Sequence, residues 1–151
     1  MKKFLIYLLL FLCLAGTFPT TISAGGRWVD LGSGWKIRLD PPVNTVSNKW
    51  HVHVENSNGS IKASENVDGT KHDGGTLDKL PKKIREKARK SKTYKKGKEN
   101  QKKTNAAKSQ IKKNGLNARN SLHWAAIIAI LVLFGIAVYF SGGAALAALA
   151  V

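Results

Sequence analysis

Residues 122–140 constrain the fold most, because they form an apolar run of 19 residues without a formal charge. A helix of about 20 such residues is long enough to cross the hydrocarbon core of a bilayer. Trp124 and Tyr139 lie near the two ends of the run, where amphipathic rings favour the membrane–water interface. A domain in a chain of 151 residues is too small to bury this run. The sequence therefore predicts a transmembrane segment and apolar tail over residues 121–151.

The first residues predict export. Lys2 and Lys3 precede an apolar run, and the small residue Ala24 closes the segment. This order is typical of a cleaved secretory signal peptide over residues 1–24. Lysines just before the span favour the cytoplasmic side, but long loops are translocated largely regardless of charge. We therefore expect a single-pass protein of the cell membrane whose folded module lies outside the cytoplasm. The alternative is an uncleaved N-terminal anchor, with both termini outside and the basic loop in the cytoplasm. The only cysteine, Cys13, lies in the signal run, so the mature chain would carry no thiol.

Charge is concentrated in one part of the chain. Residues 25–78 carry six Lys or Arg against seven Asp or Glu, a net charge of −1. Residues 79–113 carry 16 Lys or Arg against two Glu, a net charge of +14. This partition predicts a small β-rich module over residues 25–78, a basic amphipathic helix over 79–92 and a flexible polybasic linker over 93–120.

The helix is predicted from its apolar period. Leu80, Ile84 and Ala88 recur every four residues, and Pro81 suits a first helical turn, where its missing N–H is not needed. Beyond Thr93 the apolar residues are scarce and show no clear period. Mutual repulsion of lysines then favours a flexible chain.

A segment this basic attracts polyanions, which here means RNA, anionic lipid or an acidic wall polymer. A solvated spacer is the alternative interpretation. Tyr94 is the only aromatic residue in the segment, so sequence-specific reading of nucleic acid is not expected. The predicted polyanion-binding residues are Lys82, Lys83, Arg85, Lys87, Arg89, Lys90, Lys92, Lys95 and Lys96.

The module is predicted to be two β-hairpins. Residues 35–39 alternate between apolar and charged side chains, which is the pattern of a half-buried strand. Asn58-Gly59 is a strong signal for a two-residue hairpin turn. Counting outward from that turn pairs Glu55 with Lys62, Val54 with Ala63 and His53 with Ser64. The predicted fold class is α+β: a small antiparallel sheet, a short basic helix, a flexible linker and one transmembrane helix.

Two histidines share one face of the third strand. His51, His53 and Glu55 alternate with apolar residues, so all three are expected on the solvent side of the hairpin. Three interpretations remain open: a solvated sheet face, a metal site completed by His72 or Asp73, and acid–base chemistry on a phosphodiester.

RNA cleavage needs a base near the 2′-hydroxyl, an acid for the leaving oxygen and a cation for the developing charge. Glu55, either His53 or His51, and Lys62 would meet those needs without a metal or a cofactor.

Four stretches carry a resemblance: GWKIRLDPP, WHVHVEN, NVDGTKHDGG and LPKKIREKARK. Over about residues 34–90 they resemble small C-terminal modules of bacterial polymorphic and contact-dependent toxins. In layout they are similar to the ribonuclease domains of nuclease colicins. A membrane span after the module departs from that pattern.

The resemblance implies a twisted antiparallel sheet, a metal-independent ribonuclease and an immunity-type inhibitor protein as a partner. It implies that the histidines and Glu55 are catalytic, and that Asp68-Gly69 and His72 close the site. Together with the chemistry above, the predicted catalytic residues are His51, His53, Glu55, Lys62 and His72.

The sequence thus predicts an exported single-pass membrane protein that binds anionic polymers and has toxin-like ribonuclease activity. One alternative is a non-catalytic envelope protein that binds anionic lipid or wall polymer. Another is the precursor of a membrane-active, bacteriocin-like peptide.

Overall fold

The computed structural model describes residues 26–42, 49–117 and 119–135, and the predicted signal peptide lies outside them. The fold is α+β, as predicted. Four strands form one antiparallel sheet in the order β1-β2-β3-β4, and three α-helices follow along the chain. The strands are β1 (Val29–Gly32), β2 (Trp35–Asp40), β3 (His51–Asn56) and β4 (Lys62–Asn66). The helices are α1 (Lys82–Lys90), α2 (Lys92–Lys113) and α3 (Trp124–Leu133), and Leu77–Lys79 and Ser121–His123 form 3₁₀ turns.

The predicted register of the β3–β4 hairpin is confirmed: Glu55 pairs with Lys62, and His53 pairs with Ser64. Gly59 supplies the left-handed turn conformation at φ 69°, which glycine adopts without steric penalty. The Asn58 side-chain oxygen accepts the Ser60 N–H at 3.0 Å and stabilises the same turn.

Strand β2 pairs with β3 so that Arg38 lies opposite His53 and Asp40 opposite His51. Side chains directly opposite in an antiparallel pair lie on the same face. One face of the sheet is therefore polar. The other face is apolar and forms the core with Leu77, Leu80 and the two basic helices.

Helix α1 lies where the apolar period predicts it. Pro81 is its N-cap, and Ile84 and Ala88 are buried against the sheet. The narrow apolar stripe is thus used for docking, and most of the lysines remain at the surface.

The flexible linker predicted over residues 93–120 is wrong over most of its length, because α2 is a continuous helix of 22 residues. Ser91 caps its start, with its hydroxyl oxygen accepting the Tyr94 N–H at 3.1 Å. The buried stripe of α2 has helical spacing but consists mostly of small or polar residues. An apolar period in the sequence therefore does not reveal it. Its members are Tyr94, Gly97, Thr104, Ala107 and Ile111.

Gly97 lets α2 approach the sheet closely. A β-carbon at this position would lie 2.6 Å from Val67 Cγ1 and 2.7 Å from Leu39 Cδ1. Trp50 fixes the next turns of the helix, because its backbone N–H donates to Gln101 at 2.8 Å and its indole N–H donates to Thr104 at 3.0 Å.

Glu65 joins the helices to the sheet. It lies on the apolar face of β4 and is fully buried. Arg89 of α1 donates to both carboxylate oxygens, the Tyr94 hydroxyl donates at 2.9 Å, and the Leu77 N–H donates at 3.1 Å. Burial opposes the charge, but the hydrogen bonds from Arg89, Leu77 and Tyr94 outweigh it and lower the pKa of Glu65. A buried carboxylate with several donors remains ionised.

Helix α3 packs its Ile127 and Leu131 against Ala107 and Ile111 of α2. It has ten residues and is followed by Gly135 at φ 66°. In the part of the chain that the structure describes, no helix has both the length and the apolar content that a membrane crossing requires. The remainder of the predicted span, from residue 136 onward, lies outside the described residues.

Replacing Glu65 by Gln should lower the free energy of unfolding by about 3 kcal/mol, because it breaks a buried ion pair. The folded pKa of Glu65 is below its ordinary value of 4.5, so its contribution is present above that pH and is lost as the pH falls. Urea denaturation of the full chain in nonionic detergent, at neutral and acidic pH, measures both effects. Asp78→Asn is the matched control, because Asp78 binds the same arginine at the surface and should change stability by less than about 1 kcal/mol. Equal effects of the two substitutions would contradict the role of Glu65.

Gly97→Ala should destabilise the protein by about 1–3 kcal/mol, because the added methyl group overpacks the contact with Val67 and Leu39. Intrinsic helix propensity predicts the opposite sign, a gain of about 1 kcal/mol. Ser109→Ala, at an exposed position of the same helix, is the control and should be neutral or slightly stabilising. Thermal unfolding followed by circular dichroism decides between the two signs. A more stable Gly97→Ala variant would mean that α2 does not dock here.

Candidate functional site

A cleft of about 310 Å³ opens on the polar face of the sheet. It brings together three of the five predicted catalytic residues, His53, Glu55 and Lys62. The confirmed hairpin register explains this, because it places these side chains on one face of two neighbouring strands. The residues that line the cleft are Trp28, Arg38, His53, Val54, Glu55, Lys62, Ala63 and Ser64.

Glu55 lies between two ammonium groups. Its Oε1 is 2.9 Å from Lys36 Nζ, and its Oε2 is 3.8 Å from Lys62 Nζ. The Glu55 side chain is only 15% exposed, whereas that of Lys62 is 69% exposed. Lys62 is therefore free to turn toward a bound anion while Lys36 still holds the carboxylate.

Three residues of the cleft region were missed by sequence reasoning: Trp28, Arg38 and Asp40. Arg38 Nη2 is 2.7 Å from Asp40 Oδ2, and the Arg38 guanidinium lies 5.0 Å from the centroid of the Trp28 ring. The alternation in β2 placed Arg38 and Asp40 on its polar side. Only the pairing of β2 with β3 shows that they face the histidines.

His53 is the histidine that reaches the cleft, with a side chain 30% exposed. Its Nε2 lies 3.4 Å from Asp40 Oδ2. Burial lowers the pKa of His53 below its ordinary value of 6.5; Asp40 opposes that shift, and Arg38 adds to it. His53 is thus mainly neutral at pH 7 and, once protonated, is a stronger acid than a free histidine.

His51 is covered by His72 and does not lie on the solvent side, so the prediction of solvent exposure is wrong for His51. Both are buried, and their rings stack with centroids 3.7 Å apart. The segment after β4 folds back over the polar face, and Ser64 Oγ donates to the His72 carbonyl at 3.0 Å. Burial lowers the pKa of His51 to about 4, so this ring is neutral at pH 7.

The three imidazoles of His51, His53 and His72 form one cluster. Each offers one nitrogen, and these nitrogens lie within 4.8 Å of one another. Neutral imidazole is a common ligand of divalent transition metals. This cluster is the group of side chains in the described part of the chain that could hold such an ion.

The predicted polyanion-binding residues lie on α1 and at the start of α2, which cover the opposite face of the sheet. Seven of the nine are exposed lysines: Lys82, Lys83, Lys87, Lys90, Lys92, Lys95 and Lys96. Arg85 and Arg89 are instead held in ion pairs with Asp78, and Arg89 also with Glu65, so neither belongs to the open lysine surface.

A family model described as a family of unknown function, DUF6367, matches residues 2–121. No curated protein and no solved structure matches the chain. The resemblance to toxin modules therefore remains a prediction. The match covers most of the chain, and the protein accordingly belongs to DUF6367, a family of unknown function.

Proposed function

We propose that this protein cleaves RNA in the cleft on the polar face of the sheet by metal-independent acid–base catalysis. The observation that supports this is the convergence of His53, Glu55 and Lys62 in one cleft beside Arg38. These side chains supply the acid, base and cations that transfer of a phosphodiester requires.

In this mechanism the Glu55 carboxylate accepts the proton of the ribose 2′-hydroxyl. The 2′-oxygen then attacks phosphorus and forms a 2′,3′-cyclic phosphate, and the bond from phosphorus to the 5′-oxygen breaks. Protonated His53 gives its proton to the departing 5′-oxygen. Lys62 and Arg38 stabilise the negative charge that develops on the phosphoryl oxygens.

The cleft and the lysines of α1 and α2 both supply groups that can bind the substrate. Trp28 lies at the edge of the cleft with Lys36 and Arg38 each 5.0 Å from the centroid of its ring. An unpaired base that displaces one of these cations would stack on the ring, a contact worth about 1–3 kcal/mol. The lysines of α1 and α2 lie behind the sheet and raise the local concentration of polyanion. Recognition in this arrangement depends on backbone charge and stacking, so we expect single-stranded RNA with little sequence preference.

A second proposal concerns location: the protein is exported and held in the cell membrane by its C-terminal segment, with the sheet outside the cytoplasm. Apolar side chains exposed around α3 support this, with Leu122 at 87% and Leu133 at 83%. Lys112 and Lys113 end the helix against which α3 packs. Exposed apolar residues on one helix and terminal lysines on the helix it packs against suit an anionic membrane surface.

Purified full chain in detergent should cleave single-stranded RNA in the presence of a chelator and leave a 2′,3′-cyclic phosphate end. His53→Ala and Glu55→Gln should each lower the rate at least about 100-fold, since each removes a proton-transfer group. The wild-type rate should rise as the pH falls from 8 toward the lowered pKa of His53, because more of the acid form is present.

His123→Ala is the matched control, since His123 lies in the 3₁₀ turn before α3 and outside the cleft. Its rate should equal that of the wild type. Absence of cleavage, or equal loss in the control and in His53→Ala, would refute the proposal.

The full chain should float with lipid vesicles and should prefer phosphatidylserine over phosphatidylcholine. Replacing Lys112 and Lys113 together by Gln should reduce that preference by about 2 kcal/mol, at about 1 kcal/mol for each lysine near an anionic surface. Vesicle flotation at low salt measures the preference. The same replacement of Lys82 and Lys83 on α1 is the control and should have a smaller effect. Recovery of the full chain from the soluble fraction without detergent would contradict membrane attachment.

A further inference from the structure

We propose that His51, His53 and His72, with Asp40, form a binding site for one divalent transition metal ion such as Zn²⁺. The site does not depend on the proposed RNA cleavage and would exist in a protein that cleaves nothing. Because His53 is a ligand here, the metal-bound form cannot use it as the acid, so the bound ion would inhibit the proposed cleavage. It joins β2, β3 and the segment that folds back after β4.

The distances are close to those of an occupied site. One nitrogen from each of the three rings lies within 4.8 Å of the others. Zn–N bonds of about 2.0–2.1 Å in a tetrahedral site place ligand nitrogens about 3.4 Å apart, so side-chain shifts of about 1.4 Å suffice. Asp40 Oδ2 is the nearby fourth ligand, at 3.4 Å from His53 Nε2 and 4.0 Å from His51 Nε2.

One nitrogen in each of two rings already has a polar partner. His51 Nδ1 lies 3.3 Å from the Lys49 carbonyl oxygen, and His72 Nε2 lies 3.1 Å from Asp73 Oδ2. A histidine that binds a metal typically donates its other N–H to a carbonyl or a carboxylate, which fixes the tautomer and the ring orientation. With the ring protons on these two nitrogens, Nε2 of His51 and Nδ1 of His72 would each have a lone pair for a metal.

A buried amide oxygen gives a second indication. Asn66 lies opposite His51 in the β3–β4 register and is 92% buried, at 8% exposure. Its Nδ2 donates to Thr70 and to the Lys71 carbonyl, which orients the amide. Its Oδ1 has no hydrogen-bond donor among the described residues. Buried oxygens usually have a partner, and a water molecule held between Asn66 and the three histidines would be a suitable donor.

Calorimetry of Zn²⁺ binding to the chelator-treated full chain in detergent tests the site. We expect one ion per chain. His53→Gln and His72→Gln should each weaken binding about 100-fold, because each removes a ligand. His123→Gln, the one histidine outside the cluster, should bind as the wild type does.

A further variant and a second metal test whether the loss of binding comes from misfolding of a variant, and whether the ion binds elsewhere in the chain. Asp73→Asn changes only an exposed partner of His72 and should weaken binding about 10-fold while keeping the circular dichroism of the wild type. Co²⁺ in the wild type should give the visible spectrum of nitrogen and oxygen ligands. A thiolate charge-transfer band would assign the metal to Cys13, and it would overturn the proposal. The proposal is equally overturned if Zn²⁺ does not bind, or if the His72→Gln and Asp73→Asn variants bind as tightly as the wild type.

Discussion

The fold depends on one buried carboxylate, that of Glu65. A buried carboxylate has lost its hydration and must accept hydrogen bonds from nearby donors. Without them it destabilises the folded state by several kcal/mol. Here the donors come from three separate segments: Arg89 of α1, Tyr94 at the start of α2 and the Leu77 N–H between the sheet and the helices. The sheet and both helices must therefore be in place together. For the same reason the lysine-rich part of the chain is a structural layer of the fold and does not behave as an independent arm.

The alternation of side chains along a strand separates the two faces of the sheet. Glu65 points into the core, whereas its neighbour Ser64 lies on the polar face, where it binds the segment that carries His72. The apolar face is fully used in holding α1 and α2. On the polar face, the part around His53, Glu55 and Lys62 is open as a cleft. Because the other face of β3 is packed in the core, the strand holds His53 and Glu55 in fixed positions.

Much of this arrangement could be predicted from local sequence signals. Asn58-Gly59 specified the β3–β4 register, and the four-residue apolar period specified α1. Helix α2 escaped prediction because its buried positions include Gly97 and Thr104, whose roles depend on the shape and hydrogen bonding of the sheet beneath them.

The candidate site was predictable only in part, for a similar reason. The register brought His53, Glu55 and Lys62 together, but the burial of His51 depends on a loop that folds back after β4. The positions of Arg38 and Asp40 in the site depend on the pairing of β2 with β3, and no turn signal in the sequence specifies that pairing. The ion pair of Glu65 with Arg89 joins residues 24 positions apart, so strand alternation alone could not reveal it.

In the proposed function, the polar face of the sheet, and not the lysine surface behind it, receives the phosphodiester. A nuclear magnetic resonance titration of the full chain in detergent with a 2′-deoxy oligonucleotide, which cannot form the cyclic phosphate, tests it most directly. Saturable shifts at the backbone amides of Arg38, His53 and Glu55 are the predicted result. Shifts confined to the lysines of α1 and α2, with those three amides unchanged at saturation, would contradict it.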